Sequence, residues 1–471
     1  MGTFEGRQCG AWRVPPVWAT VSPDAADERS ARLSPRSRRR LIPFWALAAT
    51  LGCRADDGSS GRAPQAPNVL IFLIDALRAD ALGTYGNEIV ETPAIDRFAR
   101  EGTLFEQALA QSSWTRPSVT SILTGLHPSV HGVETRKDTL SPALTSLPEV
   151  FREHGYRTGF FLTNPNVGAF FGYSRGFDDF IELYGRREGG RVSSRELVAS
   201  SDQVVDRAKE WLADVPEPFF LIVFTADPHA PYEPPPRFNR YLDPNESDPR
   251  RGLYHGEVSF ADDSFGRLMS YLDERGLSER TITVLTSDHG EEFLDHGQVG
   301  HGKALYEESL HVPLIIRWPR EIEPGRRVDA PVQLMDLMET LLGLARLPVP
   351  HDQDGRPLFR EPREPAPLFA NLKLDGRDQW SVRSHPWKLI LDRTSGETML
   401  FDLSSDSGEM RDLAGDHPER VRELQEWIAE RIESDGRRRA MLQNQEPSRK
   451  IGDEELPEDT RDALRALGYI K

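Results

Sequence analysis

The most restrictive stretch of this chain is Asn68-Val-Leu-Ile-Phe-Leu-Ile-Asp75, six consecutive apolar residues and then a carboxylate. A run of strand length without polar alternation suits a strand covered on both faces, the situation found in a parallel sheet. Two later strand-like segments also end on candidate ligands: Phe219 to Thr225 finishes on Asp227-Pro-His229, and Thr281 to Ser287, richer in threonine, finishes on Asp288-His289-Gly290. Open α/β sheets bind ligands just beyond the carboxyl ends of their strands. Asp75, Asp288 and His289 are expected there, so the arrangement reads as an enzyme.

Between these runs the sequence alternates strand-like and helical stretches. Thr92-Pro93 supplies a cap and a first-turn proline for a helix that Gly102 ends. Tyr156 to Leu162 reads as a strand leading to Asn164, Glu196 to Val215 has helical apolar spacing, and Val312 to Arg317 reads as a further strand. Repeated β-α alternation predicts an α/β fold built on a large, mostly parallel sheet covered by helices. From about Pro350 the character changes. A Pro- and charge-rich connection (Pro348 to Pro367) precedes short strand candidates over Leu368 to Leu403, with turn signals at Asp375-Gly376 and Ser395-Gly396. A helix from Pro418 to Ser434 follows, then an amphipathic segment over Thr460 to Leu467. The expected division is a leader and linker over 1–66, a catalytic α/β domain over 67–350, a C-terminal antiparallel sheet plus helix over 351–435, and a tail with a short helix over 436–471.

The leader has its own composition. Ser34 to Arg40 carries four arginines, Leu41 to Gly52 is nearly all apolar, and Cys53 follows. This is the layout of a secretory signal, and the apolar stretch is short of the roughly 20 residues a membrane span needs. Leu51-Gly52-Cys53 resembles the end of a bacterial lipobox, although Thr50 stands where that motif prefers Leu. The expectation is an exported protein, periplasmic or at the cell surface, held to the membrane by lipid on Cys53. Cys9 and Cys53 are the only cysteines and both lie in the leader, so the folded part has no disulfide and no thiol chemistry. A net charge of −17 argues against nucleic acid as a partner. It does not exclude an anionic substrate, because a few local cations set the field at a site.

Asp75, Asp288 and His289, with one hydroxyl, are a ligand set for a divalent ion. Trp114-Thr-Arg-Pro-Ser118 opens a helix, with Pro117 in its first turn. Thr115 and Arg116 therefore sit at a helix mouth, where free N–H groups and the dipole attract anions. Thr115 is a candidate nucleophile and metal ligand, since a hydroxyl needs a metal or base to lower its pKa; the plainer reading makes it an N-cap. His229, His301 and Lys303 suit donors to a tetrahedral anion or acids for a leaving group. His296 reads as a surface residue, and Asn164 and Arg78 are further substrate-binding candidates.

Four stretches then carry a resemblance: Asn68 to Tyr85, Ser113 to Gly132, His229 to Pro235 and Thr286 to Pro313 are similar, in this order, to the sulfatases of the alkaline-phosphatase superfamily. Phe401-Asp-Leu403 to Asp412-Leu413 resembles the closing strand of their C-terminal subdomain. The resemblance implies an alkaline-phosphatase-like fold, metal ligands at Asp75, Asp288 and His289, the nucleophile at Thr115, and substrate contacts at His229 and Lys303. Asn164 falls near where sulfatases have a lysine. The chain also departs from the pattern. Ala76 stands where a second metal-binding Asp is usual, and Val119 stands where the Arg of the Cys/Ser-x-Pro-x-Arg core is usual. Thr115 replaces the Cys or Ser that is oxidised to formylglycine. Oxidising a threonine gives at most a ketone, so no formylglycine is expected.

Threonine serves as nucleophile in phosphodiesterase and phosphoalcohol-transferase branches of the same superfamily. The ligand set favours zinc or manganese, while sulfatases as a family favour calcium. The expectation is a metal-dependent hydrolase of small or polymeric sulfate or phosphate esters: Thr115 Oγ attacks in line at sulfur or phosphorus, Arg116, Lys303 and His229 neutralise the equatorial oxygens, and water resolves the intermediate with a histidine as acid or base. One rival is a phosphodiesterase or phosphonate hydrolase in which Asp227, His229 and His301 gather a second ion. Another is a silent, membrane-tethered binding protein. Substrate choice is expected in the loops Tyr173 to Arg195 and Tyr232 to Gly252.

Overall fold

The computed structural model describes residues 66–185, 197–360, 366–443 and 448–470. The leader with Cys9 and Cys53, and part of the Tyr173–Arg195 loop, lie outside the described residues. Among the described residues no helix is long and apolar enough to cross a membrane.

A nine-stranded sheet forms the body. Its strands are β1 (Asn68–Ile74), β2 (Thr103–Leu109), β3 (Arg157–Leu162), β4 (Asp179–Glu182), β5 (Phe219–Thr225), β6 (Thr281–Ser287), and, after a small β7 (Glu292–Phe293) and β8 (Val299–Gly300) hairpin, β9 (His311–Arg317), β10 (Arg326–Val328) and β11 (Val332–Gln333). The order is β10-β2-β9-β6-β1-β5-β3-β4, with β11 also on β2. Only β9 runs against the others, antiparallel to both β2 and β6. The sheet is therefore mixed but mostly parallel, as expected.

The unbroken apolar runs follow from this architecture. Val69, Ile71 and Leu73 of β1 face one core together with Phe220, Ile222 and Phe224 of β5. Leu70, Phe72 and Ile74 face the other, with Leu221 and Val223. Alternate side chains point to opposite faces, and both faces are covered, so neither parity can be polar. Helix α1 (Pro93–Glu101), α3 (Ser201–Asp214) and α4 (Arg250–Glu274) cover the second face, while α2 (Thr115–Thr124) and α5 (Asp336–Leu344) cover the first.

Strands β12 (Leu368–Leu372), β13 (Gln379–Ser384), β14 (Trp387–Asp392) and β15 (Thr398–Asp402) form an antiparallel sheet in sequential order. Asp375 and Gly376 both take positive φ in the first turn, the conformation their residue types signal. One face packs Trp380, Val382, Leu389 and Leu400 against Leu424 and Ile428 of α6 (Pro418–Gln443). The other sends Leu368, Ala370, Leu372, Ile390 and Phe401 into the main core. Helix α6 runs nine residues beyond the expected stop at Ser434. Arg431 and Arg438, about two turns apart, reach Asp354 at 2.9 and 2.5 Å, which carries the helix across Gly436. A last helix, α7 (Glu458–Ala466), falls where the amphipathic segment was expected.

Candidate active site

The register of the sheet brings the site together. Ile74 pairs with Ser287 on one side and Thr225 on the other, so Asp75, Asp288 and the residues after Thr225 emerge side by side. The Asp75 N–H still donates to the Thr225 carbonyl at 3.0 Å. Leu162 pairs with Phe224, which sets Asn164 just beyond. After Asp75 the chain turns sharply through Ala76 at φ 58°, a left-handed conformation that is uncommon for a residue with a Cβ. Hydrogen bonds hold it there. Ala76 N–H donates to Asp288 Oδ1 (3.3 Å), Leu77 N–H to Ser287 Oγ (2.9 Å), and the Tyr254 hydroxyl to the Ala76 carbonyl (3.0 Å). Strain of this kind is kept where the surroundings over-determine it.

Asp75, Asp288 and His289 are fully buried, with one ligand atom from each within 4.8 Å of the others. His289 Nε2 lies 3.6 Å from Asp75 Oδ1 and 3.4 Å from Asp288 Oδ2. Those two carboxylate oxygens have no hydrogen-bond partner. Two orphaned buried oxygens facing one imidazole nitrogen are a costly arrangement in the absence of a cation, and a suitable one for holding it. Burial, then the charge of Asp288, pushes Asp75 well above the usual carboxylate range. Burial raises Asp288 as well, against the pull of His289, and lowers His289 to about 4. His289 Nδ1 bonds the Gly290 carbonyl at 2.8 Å, which puts the ring proton there and leaves Nε2 a lone pair.

Thr115 is the first residue of α2, with Trp114 in the cap position, so it is not the N-cap. Its Oγ lies 3.2 Å from His289 Nε2 and 3.5 Å from Asn164 Nδ2. Ser118, one turn on, donates to the Asp288 carbonyl at 2.5 Å and ties the helix to the strand end. Asn164 donates to Asp75 Oδ2 at 2.5 Å. His229 and His301 complete the cluster, with ring centroids 4.8 Å apart, and the His301 ring is 4.4 Å from that of His289. His229 Nδ1 bonds the Ala230 carbonyl at 2.5 Å, and its buried Nε2 has no partner. Burial, then His301, lowers His229 to about 4. Burial, then Arg136 and Lys303, lowers His301 to about 3. Burial thus favours the neutral form of both rings. Lys303 stands beside them, its ammonium bonded to the Val299 carbonyl.

Three expected participants are directed elsewhere. Arg78 donates to Asp80, Asp295 and the Glu291 carbonyl, a salt-bridged anchor and not a substrate arm. Arg116 is buried with its donors on the Asn166, Arg136 and Asp138 carbonyls and on Asn166 Oδ1, and Phe171 covers its plane at 3.6 Å. It braces the loop whose Asn166 N–H holds Asn164 Oδ1 at 2.8 Å, in place of the expected contact with equatorial oxygens. Asp227 Oδ2 accepts from Ser201 N–H and Oγ at 2.6 and 2.8 Å, a helix-capping duty for α3 and not a gathering of a second ion with His229.

Two residues were not anticipated. Glu291, fully buried, bonds His301 Nδ1 and the Tyr232 hydroxyl, each at 3.0 Å, and so fixes the His301 ring; burial raises its pKa. Its place two residues after His289 was the available signal. Tyr469 puts its hydroxyl 3.1 Å from Thr115 Oγ and 3.1 Å from Asn164 Nδ2, and no local pattern pointed to it.

The sulfatase family model matches residues 67–347. An ulvan-active sulfatase of Formosa agariphila is 27% identical over 404 residues, covering 75% of this chain and 78% of that protein. An arylsulfatase of Clostridium perfringens is 25% identical over 456 residues, covering 78% of this chain and 94% of the other. Among solved structures, the phosphonate monoester hydrolase of Agrobacterium radiobacter matches with a TM-score of 0.68 at 20% identity, over 79% of this chain and 96% of that one. That last likeness is one of fold.

Proposed function

The chain belongs to the sulfatase family, within the alkaline-phosphatase superfamily, and is a sulfatase-like ester hydrolase; from that premise we propose that it cleaves sulfate or phosphate esters with unmodified Thr115 as nucleophile. One observation carries the reading: Thr115 Oγ lies 3.2 Å from the nitrogen that faces both orphaned carboxylate oxygens. A divalent ion held by the acidic pair and His289 would have this hydroxyl within reach.

Asp75, Asp288 and His289 would hold a divalent ion, and this set of two carboxylates with one imidazole favours zinc or manganese. Such an ion supplies charge compensation and a lowered pKa for a hydroxyl in its sphere. The protein's own groups do the rest. The first turn of α2 directs free N–H groups toward an incoming anion. Asn164 holds Asp75 and the Thr115 hydroxyl in one frame. Lys303 brings positive charge to the rim. His229 and His301 present neutral Nε2 lone pairs, so either takes a proton from the water that resolves the covalent intermediate, with Glu291 steadying His301.

The family favours sulfate esters, and the ulvan-active and aryl-ester relatives favour a polymeric or aromatic alcohol as leaving group. Thr115 supports a second reading, phosphate diesters or phosphonates, because a threonine cannot supply the hydrated aldehyde that sulfatases use. A screen of p-nitrophenyl sulfate, phosphate, phosphodiester and phosphonate with zinc, manganese and calcium tests both. Thr115→Ser is expected to retain turnover of the preferred ester. Thr115→Ala is expected to lose roughly 10⁴-fold or more in kcat, the scale of removing a nucleophile. A Thr115→Ala protein as active as its parent on every ester, with equal metal content, ends the assignment.

A further inference from the structure

Among the described residues, the groups assigned to the reaction are closed off from solvent. Thr115, Asp75, Asn164, Asp288 and His289 are 0% exposed and His229 is 4% exposed. The crevice bordering His229 and Leu467 measures about 40 Å³, room for a few waters. The segment around α7 helps to close the site, and we propose that this segment is an intramolecular plug, with Tyr469 standing where the ester must bind. The proposal rests on the reading of Thr115 as nucleophile.

Hydrogen-bond direction supports it. Asn164 Oδ1 accepts from Asn166 N–H, so Nδ2 faces Asp75 and the phenol. An amide NH₂ can only donate, so the Tyr469 oxygen accepts from it and the phenol proton goes to Thr115 Oγ. The Thr115 proton in turn faces the His289 Nε2 lone pair. The phenol therefore engages the Thr115 oxygen that the proposed reaction uses for attack. The Tyr469 ring also packs 4.9 Å from the ring of His229 and 5.8 Å from that of His301, the two bases assigned to the water. One aromatic side chain thus covers the nucleophile and both proton acceptors.

The segment is built to place this residue. Gly468, at φ 76°, closes α7 with Tyr469 N–H on the Leu464 carbonyl (2.9 Å) and turns the chain back toward the site. A residue with a Cβ there would be strained. Ala463 and Leu464 of α7 join Leu467 and Tyr469 in the core on the first face of the sheet, so the segment is seated by apolar contacts.

The test follows His229, whose unpartnered Nε2 is not in the proposed metal set. Diethyl pyrocarbonate labelling, located by peptide mass spectrometry with and without added zinc, is compared in the full chain, Tyr469→Ala, and a chain lacking residues 453–471. The proposal expects His229 to be protected in the full chain and labelled about tenfold faster or more in both variants, with kcat/KM for the preferred p-nitrophenyl ester rising by a similar factor, because a closed fraction taxes apparent affinity. Unchanged labelling in folded variants overturns it. So does faster labelling with a fall in kcat/KM, which would make Tyr469 part of the catalytic machinery. If no form turns over any ester, the nucleophile reading fails while labelling still decides whether the segment covers the site.

Discussion

Two buried clusters of charge lie at the two ends of the stretch from Asp288 to Glu307, and they are opposites. At the seam between the two sheets, Lys388 Nζ lies 2.9 Å from Glu307 Oε1 and 2.8 Å from Glu409 Oε1, and Arg383 Nη1 lies 3.0 Å from Glu307 Oε2. Two cations meet two carboxylates. Burial works against ionising Glu307, yet the charges of Lys388 and Arg383 outweigh it and hold the acid at about 2. At the strand ends, Asp75 and Asp288 face each other with no cationic side chain between them and two oxygens unpartnered. Burial penalises the charge of both clusters, and cations offset it at the seam. A matched cluster joins structures; an unmatched one is a place prepared for something brought from outside.

The contrast can be broken from either side. The largest effect on stability is expected at the seam. Lys388→Met leaves Glu307 and Glu409 buried without their shared cation and should cost about 3–5 kcal/mol, read as a lower denaturant midpoint, with turnover per folded molecule unchanged. An unaltered midpoint would remove the distinction between the clusters. At the site the sign should reverse. Asp288→Asn keeps an acceptor for the Ala76 N–H but removes one of two repelling charges, and should stabilise the metal-free protein by about 1–2 kcal/mol while abolishing turnover. The parent's melting temperature should rise on adding zinc by linkage, and that of Asp288→Asn should not. A variant less stable than the metal-free parent would mean that the acid is structural.

The smallest effect sharpens the seam. His296 bonds Glu308 Oε1 at 2.7 Å and the Glu409 carbonyl at 3.1 Å. Burial opposes its charge, but Glu308 and Glu409 prevail and lift it to about 9. A folded pKa above the unfolded value of about 6.5 contributes stability that is complete below that value and fades as pH climbs toward 9. His296→Gln should therefore flatten the stability profile over that window. A parent profile already flat there would show that His296 carries no such charge.

Much of the site was legible because strand ends are. A six-residue apolar run that stops on Asp75, and a strand-like run of Thr, Ile, Val and Leu that stops on Asp288-His289, mark both the strand and the edge where side chains leave the sheet. The motif around Thr115 was legible in the same way, as a helix start. What misled was the direction of long side chains. Arg78 and Arg116 stand near the right residues in sequence, but a guanidinium goes where carboxylates and carbonyls converge, and those acceptors come from Asp295, Arg136 and Asn166. Asp227 likewise looked like a ligand beside His229 until the N-terminus of α3 claimed it. Helix α6 was expected to stop before Gly436, and its tethers to Asp354 lie some 80 positions away.

The sequence alone determined the sheet, its two-sided burial, the acidic strand ends and a secondary alcohol at a helix start, because each is written in local periodicity or in one residue's chemistry. Tertiary structure alone decided that His301 is held by Glu291, that two arginines brace loops, and that Tyr469 meets Thr115 across 354 positions of chain. Those contacts depend on where remote segments arrive in space, and a hydrogen bond between them leaves no period or spacing to read.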